Sequence, residues 1–121
     1  MFRRILHELI LSTPGAIGAI FLDHEGETVE MLHDRPFDTD DHDIKVMGAY
    51  QGIFLMNLRE LCDRTGIGAP HRFKVEFAEA KVLSRDLKDG YYLVFLVDRT
   101  AHEGLAWRNL EKCREQLLAE M

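Results

Sequence analysis

The stretch YYLVFLV at positions 91–97 is apolar almost throughout. A β-strand turns successive side chains to opposite faces, so a strand of this kind has no wet side. It belongs in the middle of a sheet with further layers over both faces. AIGAIFLD at 16–23 is a second short apolar run bounded by turn residues, and it reads as another central strand.

The neighbouring segments read as less buried strands. RFKVEFAEA (72–80) alternates Phe73, Val75 and Phe77 against Arg72, Lys74 and Glu76, a period-two pattern that predicts a strand, placed at a sheet edge. After a tight turn near Glu79, KVLSRDL (81–87) continues as a strand. KDG (88–90) carries the Asp-Gly hairpin signal. TVEMLH (28–33) alternates Val29 and Met31 against Thr28 and Glu30. HEGE joins it to the strand at 16–23 as a hairpin, with Gly26 where positive φ is needed.

Three helices complete the chain. In 2–12, Phe2, Ile5, Leu6, Leu9 and Ile10 share one face, and Thr13-Pro14-Gly15 stops the helix. A helix over about 43–64, capped by Asp41 or Asp43, carries Ile44, Met47, Gln51, Phe54, Leu55, Leu58 and Leu61 on a broad stripe, with Val46, Tyr50 and Ile53 on a second face. Gly48, Ala49 and Gly52 would let another backbone come close. The last helix, starting between Thr100 and Glu103, has Ala106, Leu110, Cys113 and Leu117 as its inner stripe, with Trp107 and Leu118 beside it. The order helix, two strands, helix, three strands, helix predicts an α+β fold, one domain over 1–121 with a five-stranded antiparallel sheet.

Composition removes several functions. A net charge of -6 and no basic run longer than RR at 3–4 argue against a nucleic-acid partner. His7 and Glu8 interrupt what would be a signal peptide, and AIGAIFL is too short to span a bilayer, so no membrane insertion is expected. Cys62 and Cys113 read as free buried thiols in a reducing cytoplasm.

No motif for chemistry is complete. Gly15 and Gly18 lack the lysine of a phosphate-binding loop and lie between a helix and a strand, the reverse of a dinucleotide fingerprint. They read as a helix stop and a site of close approach to the strand. DTDDHD (38–43) has carboxylates and His42, but a calcium loop counted from Asp38 would need Gly and Glu where Asp43 and Ala49 stand. It reads as a solvated capping loop. The six histidines show no ligand spacing. Ser12 and Ser84 lie in no nucleophile elbow, and Cys62 sits inside a helix rather than at its N-terminus. No catalytic, metal or cofactor site is expected. What is left over is apolar surface: helix 43–64 and the edge strand beside it suggest a dimer surface.

ILHELILSTPGAIGAIFLDHEGETVEM at the front and DGYYLVFLVDRTAHEGLAWRNLEKCREQLL at the back resemble the roadblock/dynein-light-chain family over nearly the whole chain. The resemblance implies a roadblock/profilin-like sheet with the middle helix on one face and the terminal helices on the other. It implies a non-catalytic homodimer joined through the middle helices and the adjacent edge strands. Mapped here, that interface is Met47, Gly48, Tyr50, Gln51, Gly52, Phe54, Leu55, Leu58, Phe73, Val75 and Phe77. The bacterial members it is similar to regulate Ras-like small GTPases, and such a GTPase is the partner it implies. No arginine finger is identified, since Arg35, Arg64 and Arg99 sit in loops or at helix ends. The alternative is a scaffold subunit with no effect on GTP hydrolysis. A third reading is a small-ligand sensor with a pocket under the middle helix.

Overall fold

Strands β1 (Ala16–Leu22) and β5 (Tyr92–Asp98) lie side by side in the centre of the sheet. All of β1 and all of β5 except Asp98 are buried. The structure is a computed structural model that describes residues 1–33, 41–68 and 70–121, apart from the side chains of 41–47 and 49. Its other elements are α1 (Phe2–Ser12), β2 (Thr28–His33), α2 (Asp41–Thr65), β3 (Arg72–Glu76), β4 (Ala80–Asp86) and α3 (Glu103–Glu120). The strand order is β2-β1-β5-β4-β3, with every neighbour antiparallel. Strand β3 is therefore an edge, as its alternation predicts.

Alternation along the central strands divides the core in two. Ala19, Phe21, Leu93, Phe95 and Val97 meet Ile5, Leu6, Leu9 and Ile10 of α1 and Leu110, Cys113 and Leu117 of α3. Ile20, Leu22, Tyr92, Val94 and Leu96 point the other way and share a cluster with Leu55 of α2. The terminal helices thus cover one face and the middle helix the other. Cys62 and Cys113 are free and buried. Burial pushes the Cys113 thiol up to about 12, with the Glu8 charge adding to the effect.

The turns follow local chemistry. Thr13 donates its hydroxyl to the Leu9 carbonyl at 3.0 Å, and Gly15 takes φ +88° beside Ala101. Asp89 (φ 58°, ψ 31°) and Gly90 (φ 80°) form a left-handed pair closed by the Tyr91 amide on the Lys88 carbonyl at 3.1 Å. This is the turn that an Asp-Gly hairpin prefers. A Cβ on Gly18 would stand 3.0 Å from both the Leu32 carbonyl and His33 Cβ, so the close neighbour there is strand β2. The alternating run at 72–80 ends as a strand at Glu76. Phe77 donates its amide to the Ala80 carbonyl at 2.8 Å, closing the β3–β4 hairpin.

Polar ties bind α3 to the β3–β4 hairpin. Arg85 reaches Glu111 at 2.6 Å and pairs with Asp86, while Arg114 donates to the Asp86 carbonyl at 2.6 Å. Lys74 meets Glu103 at 2.9 Å, and the Arg72 guanidinium lies 4.9 Å above the Trp107 ring. His102 caps α3, its Nδ1 accepting the Leu105 amide at 3.0 Å. Replacing the fully buried Leu110 by Ala is expected to cost about 2–5 kcal/mol in urea unfolding. Leu11→Ala, at a side chain 68% exposed, should change stability by no more than about 0.5 kcal/mol.

Candidate interaction surface

Helix α2 has an inner face that lies close to the sheet. A Cβ on Gly48 would stand 3.2 Å from methyl carbons of Ile20 and Leu22, and one on Gly52 would collide with the Tyr92 hydroxyl. That hydroxyl donates to the Gly48 carbonyl at 3.0 Å. Buried Ser84 donates to Gln51 at 3.4 Å. Leu55 and Cys62 continue the buried stripe one and three turns further on. Burial pushes the Tyr92 hydroxyl up to about 12 from its ordinary 10; the Asp23 charge adds to the shift and the Gly52 amide opposes it.

The outer face of α2 is apolar and uncovered. Tyr50 is 68% exposed, Ile53 54%, Phe54 49% and Leu61 49%, at spacings that place them on one side of a helix. Exposed Asn57 lies among them, and Met56 is exposed on the flank. Phe54 leans over β3, its ring 5.1 Å from that of Phe73 in an edge-to-face contact. Phe73 and Val75 are half-buried, and Phe77 beyond them is 50% exposed. Because Phe77 bonds to Ala80 and the Asp86 amide to the His71 carbonyl, the ladder alternation directs the backbone groups of Arg72, Lys74 and Glu76 away from β4. An apolar helix face and a strand with open backbone groups therefore adjoin.

The residues singled out from the sequence divide between the two faces. Gly48, Gln51, Gly52 and Leu55 are turned onto the chain's own sheet, so the close approach made possible by the small residues is intramolecular. Tyr50 and Phe54 face outward, Leu58 is half-buried at the border, and Phe73, Val75 and Phe77 line the edge beside them. The Met47 side chain lies outside the described residues, as do 34–40 of the acidic connection and the His42 side chain. Ile53, Met56 and Leu61 belong to the outward surface and were missing from the predicted interface. The second apolar face containing Tyr50 and Ile53 was the signal for it.

Among the described residues no group of three or more His, Cys, Asp and Glu is placed to hold a metal. Under α2, the gap lined by His24, Gly52, Leu55, Arg59, Gly90 and Tyr92 has a volume of about 20 Å³, room for roughly one water rather than for an organic ligand. Among the described residues no helix is long and apolar enough to cross a membrane.

No family model matches the sequence, and no curated protein does. Solved structures do. A Roadblock/LC7 domain from Streptomyces avermitilis superposes with a TM-score of 0.83 at 16% identity, covering 95% of this chain and 92% of its own. MglB of Myxococcus xanthus gives 0.84 at 14% identity, over 98% and 92%. MglC of Myxococcus xanthus gives 0.72 at 20% identity, over 99% and 98%. The fold is that of the roadblock/LC7 domains, which is the fold the sequence resemblance predicts.

Gly52→Ala is expected to lower stability by about 2 kcal/mol or more in urea unfolding, because the clash with Tyr92 outweighs the ~1 kcal/mol gain in helix propensity. Gly48→Ala meets only the ends of two flexible side chains and should stay within about 1 kcal/mol of the parent. The Tyr92 shift also predicts a pH effect. Its folded pKa lies above the unfolded value, so between pH 10 and 12 the unfolded chain loses the proton first. Stability then falls by about 2–3 kcal/mol across that window. Tyr92→Phe should flatten this part of the profile when unfolding is measured at successive pH values.

Proposed function

We propose that this protein is a roadblock-type regulator or adaptor. It forms a homodimer through the outer face of α2 and the free edge of β3, binds a Ras-like small GTPase, and alters its GTP hydrolysis without carrying out the chemistry itself. The apolar strip formed by Tyr50, Ile53, Phe54 and Leu61 beside Phe77 carries this reading. A strip of this kind next to an open strand edge is a site for a protein partner. The roadblock fold and the resemblance to bacterial regulators support the choice of a Ras-like GTPase. A two-fold platform can act on such a partner by repositioning the GTPase's own groups around the γ-phosphate and attacking water, with no inserted arginine.

Light scattering should give twice the 14.0 kDa of one chain, and Ile53→Glu with Phe54→Glu should give a folded monomer, because a buried unpaired carboxylate costs about 3–5 kcal/mol. A wild-type monomer at tens of micromolar overturns the dimer. For the partner, Ras-like GTPases from the same genome are loaded with GTP. Complex formation and single-turnover phosphate release are then measured with and without excess protein. A changed release rate is the expected result. Binding with an unchanged rate leaves an adaptor and overturns the regulatory step, and no binding by any of them overturns the GTPase partner.

A further inference from the structure

The α1–α3 layer contains a cavity of about 350 Å³, at the end where α1 begins and α3 finishes. Three aromatic rings wall it. Buried Phe21 lies between half-buried Phe2, edge-to-face with centroids 5.0 Å apart, and half-buried Tyr91, tilted at 5.8 Å. Val29 closes a further side. The register of β1 against β2 shifts where Phe21 faces Glu30 and Leu22 faces Thr28, so Val29 is an extra residue. Such a bulge re-aims a side chain, and here it leaves Val29 41% exposed beside the rings. The volume lies at the lower end of the range for small-molecule sites, in contrast to the one-water gap under α2.

The rim has one charge of each sign. Lys88 and Asp89 belong to the turn before β5, and both line the cavity. They do not pair with each other, and the Asp89 carboxylate hydrogen-bonds to no described residue. The Lys88 ammonium donates to the Met121 carbonyl at 3.0 Å, which uses one of its three donors. A ligand with a single charge would gain at one of these residues and be repelled by the other. An ammonium and a carboxylate on one carbon satisfy both. The aromatic walls select what hangs from that carbon: a large apolar side chain, packed against the rings.

We propose that this cavity is a binding site for a free amino acid with a large apolar side chain. Its carboxylate meets Lys88, its ammonium meets Asp89, and its side chain enters among Phe2, Phe21 and Tyr91. The site lies on the opposite side of the sheet from α2, so its test stands apart from those of the dimer and of the GTPase partner.

The whole chain, isotope-labelled, is titrated with L-phenylalanine while its amide signals are followed by NMR. Saturable shifts at Phe2, Val29, Asp89 and Tyr91 in the millimolar range are expected, and none with L-serine. Blocking either charge of the ligand, as N-acetyl-phenylalanine or as phenylalaninamide, should raise the dissociation constant about two- to five-fold, the scale of one exposed ion pair. Asp89→Asn, which keeps a residue tolerant of left-handed backbone, should weaken phenylalanine by the same factor and leave N-acetyl-phenylalanine no weaker. Lys88→Gln should do the converse, sparing phenylalaninamide. A variant that merely disturbed the fold would weaken every ligand alike. No saturable shift at these positions overturns the site, and so does serine binding as well as phenylalanine. Equal constants for phenylalanine and its two blocked forms overturn the pairing with Lys88 and Asp89.

Discussion

Two adjacent strands with no wet face set the terms for the rest of this structure. Leu22 and Tyr92 are paired across β1 and β5, and both strands are buried above and below. Neither face can be left to solvent without exposing a full layer of large apolar side chains. One helix pair and one single helix supply the two covers. The pair, α1 and α3, is joined further by Asn109, which donates to the Ser12 carbonyl and the Thr13 hydroxyl at 3.0 Å each. The single cover, α2, has to shield its side of the sheet alone among the described residues. That accounts for a helix of 25 residues in a chain of this size.

The elements were legible in the sequence because each has an apolar period of its own. β5 and β1 are continuous, β3 alternates, and α1 repeats at helical spacing, whereas the alternation of β2 does not carry over into burial: Val29 is exposed and Glu30 half-buried. Asp89-Gly90 and Gly26 marked their turns through positive φ. What the pattern of α2 could not show is which of two apolar faces turns inward. Phe54, Leu55, Leu58 and Leu61 look alike as hydrophobic letters, yet Leu55 is buried and Phe54 and Leu61 are half exposed. The inner face is marked by absent side chains at Gly48 and Gly52, which a hydrophobic count scores as nothing. Their meaning depends on Tyr92, forty residues beyond Gly52 in the chain. The histidine cap of α3 was also illegible, since histidine is not among the preferred residues at that position.

Strand β3 shows how one edge can be finished on one face and left open on the other. Its residues of one parity are tied down: Lys74 is held by Glu76 and Glu103, whose hydrogen bonds raise the lysine's pKa, and Arg72 covers Trp107. Its residues of the other parity, Phe73 and Val75, turn to the side of α2. Lysine and arginine at an edge discourage indiscriminate pairing. Here they do so on the α3 face while the α2 face remains apolar. A partner approaching this edge is thereby directed to the side where α2 lies.

The glycines of α2 connect this asymmetry to the outer surface. Without Cβ atoms at 48 and 52 the helix settles onto Ile20, Leu22 and the Tyr92 hydroxyl, closer than a helix carrying side chains there could. A low-lying α2 brings Phe54 within reach of Phe73, so helix and edge strand present one apolar surface rather than a ridge beside a step. Any side chain at 52, or one longer than alanine's at 48, would lift the helix, break the Phe54–Phe73 contact and separate the two halves of that surface. The small residues therefore act on the interface from its far side. They touch no partner, yet they hold the partner-facing side chains of α2 level with the edge of the sheet.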